Sequence, residues 1–190
     1  MRLPNCFRRT EPLDAQVAQC RPALFRVALM WCHNRSLAED LTHDALTKAL
    51  ARQRQLKDAD KLRPWLFGIL ANLWRDHLRR LTARPTDDID AVDATWLMDP
   101  HTPEMAASQM QLVTRVRGAI AALPLGQREV LALVDLEGCS YAETAAILDV
   151  PTGTVMSRLS RARAGLRLSL AELAPNAWQA NSEAALKRVK

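Results

Sequence analysis

Apolar positions recur at three- and four-residue spacings along most of the chain, the pattern of amphipathic helices that pack by one face. Only six of the 190 residues are glycine, which disfavours a turn-rich β protein. The pattern therefore predicts an all-α protein. Its predicted helices span about 14–33, 36–52, 61–81, 108–123, 126–137, 141–148 and 152–173.

Residues 84–107 interrupt this periodicity with three prolines and six acidic side chains. Low hydrophobicity and high charge are typical of a segment that stays extended and flexible. We therefore predict two small helical domains joined by a flexible acidic linker. The predicted domains are residues 10–83 and 108–173, followed by a tail over 174–190.

Local signals mark several helix ends. Ser36 to Glu39 and Ser140 to Glu143 each fit the capping-box pattern, in which Ser and Glu side chains satisfy free backbone N–H groups. Gly138 predicts a left-handed end to the helix before it. Pro22 predicts a break or kink in the first helix.

The charge is unevenly distributed. The chain has a net charge of +5, but 84–107 carries −5, so the remainder carries +10. A basic–acidic–basic layout favours a polyanionic partner.

The cysteines are Cys6, Cys20, Cys32 and Cys139, and none forms a C-x-x-C pair or a zinc-like spacing. We expect reduced thiols, no metal and no cofactor. The N-terminus has no signal-peptide pattern and no apolar run is long enough to span a bilayer, so we expect a cytoplasmic protein without membrane insertion.

The segment from Ser140 to Arg163 predicts a helix-turn-helix, with an Asp-Val-Pro turn before the second helix. The N-terminal half of such a recognition helix reaches base edges in the major groove. Arginine suits guanine, while Ser and Thr suit bases or phosphates. The candidate DNA-binding residues are Thr154, Ser157, Arg158, Arg161 and, toward the phosphates, Arg163.

Three stretches, 123–131, 137–145 and 151–163, resemble region 4 of bacterial sigma factors, most closely the extracytoplasmic-function (ECF) group. The resemblance implies that this domain recognises the upstream promoter box. Met156 departs from it, because Lys or Arg often occupies that position in the family.

The stretch 38–50 resembles the sigma region 2 helix that docks on core RNA polymerase. Asp40, His43, Asp44 and Thr47 share one face of this predicted helix at spacings of three and four. The resemblance implies that this face binds a coiled coil of the β′ subunit. Paired carboxylates also occur in acid–base catalysis, but nothing in the sequence supplies a pocket for them, so no enzyme is predicted.

The stretch 65–80 resembles the region 2 segment that engages the downstream promoter box. Asn72 is positioned to bind an exposed base edge, and basic side chains to hold phosphates. Trp65 belongs either to the core or to a base contact. The candidate residues for this box are Asn72, Arg75, Arg79 and Arg80.

These resemblances predict an ECF sigma factor that binds the β and β′ subunits of core RNA polymerase, directs it to promoter DNA and helps open the duplex. They also imply an anti-sigma factor and a protein that is monomeric when free. The acidic linker is either a plain tether or a mimic of nucleic acid in a polymerase channel. Two alternatives remain: a stand-alone helix-turn-helix regulator, and a sigma-like decoy that sequesters an anti-sigma factor.

Overall fold

The computed structural model describes residues 12–56, 58–83 and 107–171, with only the backbone of 107–111. The predictions for residues 10 and 11, most of the acidic linker, Cys6, Leu173 and the 174–190 tail lie outside these residues.

The described chain consists of helices and contains no β-strand, which confirms the all-α prediction. Two 3-10 turns, Gln53–Gln55 and Ala59–Lys61, connect the third and fourth helices, and a π-helical segment, Ala132–Leu136, continues the sixth. The α-helices are α1 (Leu13–Gln19), α2 (Arg21–Cys32), α3 (Arg35–Ala51), α4 (Leu62–Ala83), α5 (Ala107–Ala121), α6 (Leu125–Leu131), α7 (Tyr141–Leu148) and α8 (Thr152–Ser169).

Helices α1 to α4 form the first domain, in which α3 packs between α2 and α4. Its centre is formed by fully buried side chains, with Trp31 of α2 the largest. Apolar side chains at helical spacing supply most of the stability of this domain, because folding removes their surface from water. The other central residues include Leu24, Val27, Leu66, Phe67 and Leu70.

Two local predictions for this domain have opposite outcomes. The first helix is interrupted at Cys20, and Pro22 lies in the first turn of α2, as predicted. The capping box at Ser36 is wrong: the Asn34 side chain caps α3 by accepting a hydrogen bond of 2.9 Å from the Leu37 N–H. His33 ends α2 in the left-handed conformation, which places Asn34, two residues before Ser36, in the extended conformation that a cap requires.

Helices α5 to α8 form the second domain, with α6 and α7 packed on α8. The buried face of α8 carries Val155, Leu159, Ala162 and Leu166, as its spacing predicts. Both end signals are confirmed, since Ser140 and Glu143 form a complete capping box and Gly138 has a positive φ of 71°.

The spacing of apolar residues predicts a buried stripe on α4 that runs from Leu66 through Leu73 to His77 and Leu81, and this prediction is wrong at its end. Leu81 is half exposed, and His77 is only partly buried. Helix α4 is 22 residues long, and residues 79–83 at its end are all exposed, so its last turn lies outside the core that the described residues form. None of the helices in the described part of the chain is long and apolar enough to cross a membrane.

His33 makes the stability of the fold dependent on pH. Burial, assisted by the nearby Arg128 charge, lowers the pKa of His33 from 6.5 to about 4. The His33 imidazole therefore binds a proton more tightly in the unfolded chain than in the folded chain. The folded chain keeps its full stability above pH 6.5, where His33 is neutral in both states, and loses part of it as the pH falls toward 4. Between pH 7 and pH 5, we expect this side chain to lower the free energy of unfolding by about 2 kcal/mol.

Urea unfolding of the wild type and of His33→Asn at both pH values measures this term. Asparagine tolerates the left-handed backbone and does not titrate, so its pH dependence should be flatter. Equal pH dependence in the two proteins would contradict the assignment.

Candidate nucleic-acid interface

Helix α8 begins directly after a sharp turn. Asp149 adopts the left-handed conformation at the end of α7, and Pro151 precedes the first turn of α8. The helix-turn-helix is thus present, and α8 buries one face while its other face points outward. A cluster of exposed residues lies on that outer face, and Met156 and Arg161 are both part of it.

The predicted upstream-box residues do not form a uniform surface. Arg161 is exposed, whereas Thr154 and Ser157 are half-buried, and the Ser157 hydroxyl donates to the Thr154 carbonyl at 3.1 Å. Arg163 binds the Asp135 carboxylate through two hydrogen bonds of 2.5 and 3.0 Å. These bonds raise the pKa of Arg163 and orient its side chain back toward its own domain.

Arg158 is turned away from the outer face. Its guanidinium lies so close to Gly126 of α6 that a Cβ there would be 2.9 Å from Cζ. The neighbouring Glu129 has a pKa raised by burial, and the Arg158 charge opposes that shift. Arg158 is therefore packed against α6, whereas Arg161 is exposed, although the two residues are only three apart in the helix.

A shallow depression of about 330 Å³ follows the outer side of α7 and α8. Tyr141, in the first turn of α7, lines it together with Met156 and Arg163. The sequence prediction did not include Tyr141, which lies beside the middle of α8 and interacts with Arg163. Met156 is 53% exposed, which places an apolar side chain among the basic residues of this surface.

Helix α3 brings its four predicted residues onto one exposed face. Asp40, His43, Asp44 and Thr47 are all exposed, while the opposite face is buried in the first domain. Leu50, one turn further on, is 41% exposed and extends this face with an apolar side chain that the sequence prediction missed. We call this the α3 face.

The predicted downstream-box residues follow one side of α4. Arg75 donates to the Asn72 side-chain oxygen at 2.7 Å, Arg79 forms an ion pair with Asp76, and Arg80 is exposed. Trp65 packs against the core with part of its ring and is otherwise accessible from this side. We call the side defined by Trp65, Gly68, Asn72 and Arg75 the α4 face.

Asn72 of the α4 face is exposed, but the face also lies beside the second domain. The face lines a groove of about 590 Å³ whose opposite wall is α7 of the second domain. The Arg75 guanidinium also reaches the Ile147 carbonyl of α7 at 3.5 Å. The structure therefore brings the two predicted DNA-binding elements, which are far apart in sequence, to opposite sides of one interface.

Together these elements define a two-domain helical DNA-binding protein with an acidic, exposed face on its first domain. Comparison with known families narrows this class. The model of sigma-70 region 2 matches residues 16–84, and that of sigma-70 region 4 matches residues 114–166.

Relatives of known name agree. The ECF RNA polymerase sigma factor EcfG of Rhodopseudomonas palustris is 34% identical over 83% of this chain and 84% of its own. SigM of Mycobacterium tuberculosis, also named an ECF RNA polymerase sigma factor, is 32% identical over 75% of this chain and 69% of its own. The chain belongs to the ECF sigma factors of the sigma-70 family.

Solved structures show the same architecture. The sigma factor RpoE of Bartonella quintana, in complex with its anti-sigma factor NepR, has a TM-score of 0.71 and 29% identity over 83% of this chain and 96% of its own. CnrH, in complex with the cytosolic domain of CnrY, has a TM-score of 0.58 and 26% identity over 83% of this chain and 86% of its own.

Proposed function

We propose that this chain recruits core RNA polymerase through the α3 face and directs it to a two-part promoter through α4 and α8. The observation that carries the proposal is the presence of both modules on one chain. The α3 face is exposed and acidic on the first domain, and the second domain presents an outward-facing recognition helix with Arg161 exposed. A stand-alone regulator has no need of the first feature.

The chemistry of each surface fits its proposed partner. The carboxylates of Asp40 and Asp44, with exposed Leu50 beside them, suit a basic protein surface that also offers an apolar contact. Arg161 and Arg80 suit DNA, one through base edges or phosphates and the other through phosphates. We propose that the protein acts by binding alone, within the cytoplasm, and is itself controlled by an anti-sigma factor.

Reconstitution tests this function directly. Purified protein is added to sigma-free core RNA polymerase with fragments of its own genome as template, and the 5′ ends of the transcripts are mapped. We expect transcripts that start downstream of a shared two-box sequence. Absence of any transcript dependent on the protein would contradict the sigma function, and DNA binding without transcription would favour the stand-alone regulator.

Asn72→Ala is expected to weaken promoter opening about fivefold, because one net hydrogen bond to an unpaired base is worth about 1 kcal/mol. The measurement is permanganate reactivity of promoter thymines in the complex with polymerase. Gln19→Ala removes an exposed amide from α1 and is the matched control, which should open the promoter normally. Equal opening by both variants would remove Asn72 from the downstream-box surface.

A further inference from the structure

The first half of α8 exposes one large apolar side chain, that of Met156, which is 53% accessible. The nearest large apolar residues of the same helix, Val155 and Leu159, are buried in the domain. Gly153, three residues before Met156, and Ser160, four residues after it, are exposed and small. A Cβ at Gly153 would meet no atom within 4 Å. Met156 is therefore the largest side chain along this line of the helix, and it projects into open space.

The depression beside Met156 has an apolar side and a basic side. Tyr141 of α7 and Met156 contribute large apolar surfaces to it, and Arg163 and Arg167 contribute guanidinium groups. Arg163 is hydrogen-bonded to both Asp135 and Tyr141, and these bonds raise its pKa. Such a surface fits a ligand that carries a small apolar group close to a negatively charged backbone, which is the chemistry of a DNA strand.

Met156 and Arg161 lie on different sides of the outward surface of α8. Both are exposed, and at 3.6 residues per turn, five positions separate them by roughly 140° around the helix axis. Met156 is in the second turn, within the N-terminal half of the helix that reaches base edges. A helix seated in the major groove therefore presents these two side chains to different bases.

The chemistry of methionine limits what Met156 can recognise. Its thioether has no N–H or O–H to donate and is only a weak acceptor, so it offers nothing to a phosphate. In the major groove, guanine, cytosine and adenine present polar groups, whereas thymine also presents its 5-methyl group. That methyl is the group against which a methionine can lose water without leaving a polar partner unsatisfied. The flexible, polarizable side chain adapts its shape to such a contact.

We propose that Met156 is a specificity-determining residue, which selects a thymine in the upstream promoter box by packing on its 5-methyl group. The inference rests on the proposed function of α8 as the helix that reads this box. Removing one methyl group from water favours thymine about fourfold over the same base without the methyl. Arg161, on the other side of the surface, contacts a different position.

Deoxyuridine isolates the methyl group, because it pairs as thymidine does and keeps the O4 acceptor but has no 5-methyl. Synthetic promoter duplexes carry deoxyuridine in place of each thymidine of the upstream box, one position at a time and in either strand. The dissociation constant of the reconstituted holoenzyme is measured for each duplex. We expect deoxyuridine to weaken binding about fourfold at one position and to have little effect at the others.

Met156→Ala shows whether Met156 reads that methyl. The residue is exposed and alanine is the best helix former, so we expect the variant to fold and to bind core polymerase normally. It should bind the thymidine promoter about fourfold or more weakly and show no further loss with deoxyuridine. Leu168→Ala is the matched control, because it truncates an 80% exposed apolar side chain near the end of the same helix. It should keep the full sensitivity to the methyl.

Three results would overturn the inference while leaving the proposed function intact. One is an upstream box without thymine in either strand, and another is equal binding of all the deoxyuridine duplexes by the wild type. The third is an equal loss in the wild type and Met156→Ala, which would show that another group or the DNA itself senses the methyl. Failure of the holoenzyme to prefer the promoter over unrelated DNA would instead overturn the proposed function, and the inference with it.

Discussion

Replacing Asp44 with arginine is expected to lower the affinity of the protein for core RNA polymerase about thirtyfold, a loss of about 2 kcal/mol. Asp44 lies at the middle of the α3 face between His43 and Thr47, and its side chain is exposed. A charge reversal there places like charges together at the proposed interface with a basic partner and removes an attractive pair. We expect helix α3 to stay intact in Asp44→Arg, because arginine is a good helix former.

The measurement is the dissociation constant for sigma-free core polymerase, taken at two salt concentrations. Asp14→Arg makes the same charge change at an exposed position of α1 and serves as the control. We expect Asp14→Arg to bind nearly as the wild type does, and the deficit of Asp44→Arg to change with salt because charge pairs at an interface rim are screened. An equal loss in both variants would show a general charge effect and remove the α3 face from the docking surface.

Arg161→Ala is expected to reduce promoter binding by the polymerase complex by about 1–3 kcal/mol if Arg161 reads a guanine. Among the arginines predicted for the upstream box, Arg161 is the exposed one, whereas Arg158 packs on Gly126 and Arg163 binds Asp135. Its long side chain is therefore available to DNA without first breaking an ion pair. The affinity of the free protein for core polymerase should not change.

Promoter binding is measured by titrating the reconstituted holoenzyme against the promoter and against copies with single substitutions in the upstream box. A base contact predicts that Arg161→Ala loses discrimination at one position. A phosphate contact predicts a uniform loss and a shallower dependence on salt. Arg115→Ala, on the exposed side of α5 outside the helix-turn-helix, is the control. Loss of core binding by Arg161→Ala would contradict the role assigned to α8.

Arg158 shows where prediction of the DNA surface from helical position reached its limit. Helical spacing placed Arg158 beside Arg161. However, Gly126 of α6 has no side chain, which leaves room for the Arg158 guanidinium to pack against the domain. The direction of a long, flexible side chain depends on neighbours from other helices, which a one-dimensional pattern does not contain. Arg163 follows the same rule, since Asp135 lies 28 residues before it.

The sequence by itself determined the local features of this protein. Periodic apolar positions determined the α-helices, Pro22 the break between α1 and α2, and Ser140 with Glu143 the start of α7, because each of these depends on residues within a few positions of one another. The α3 face was predictable for the same reason. It is one side of a single helix, and burial of Leu41 and Ala45 leaves the opposite side exposed.

The tertiary structure decided how the two domains meet. In the sequence, Glu137 is an acidic residue near a helix end with nothing to distinguish it. In the structure it is buried between Arg26 and Arg63, which lie 111 and 74 residues before it. A contact at such separation depends on the packing of whole helices, and charge complementarity between two surfaces appears only after both have formed. How closely α7 approaches the α4 face is therefore a property of the assembled molecule, and no local pattern encodes it.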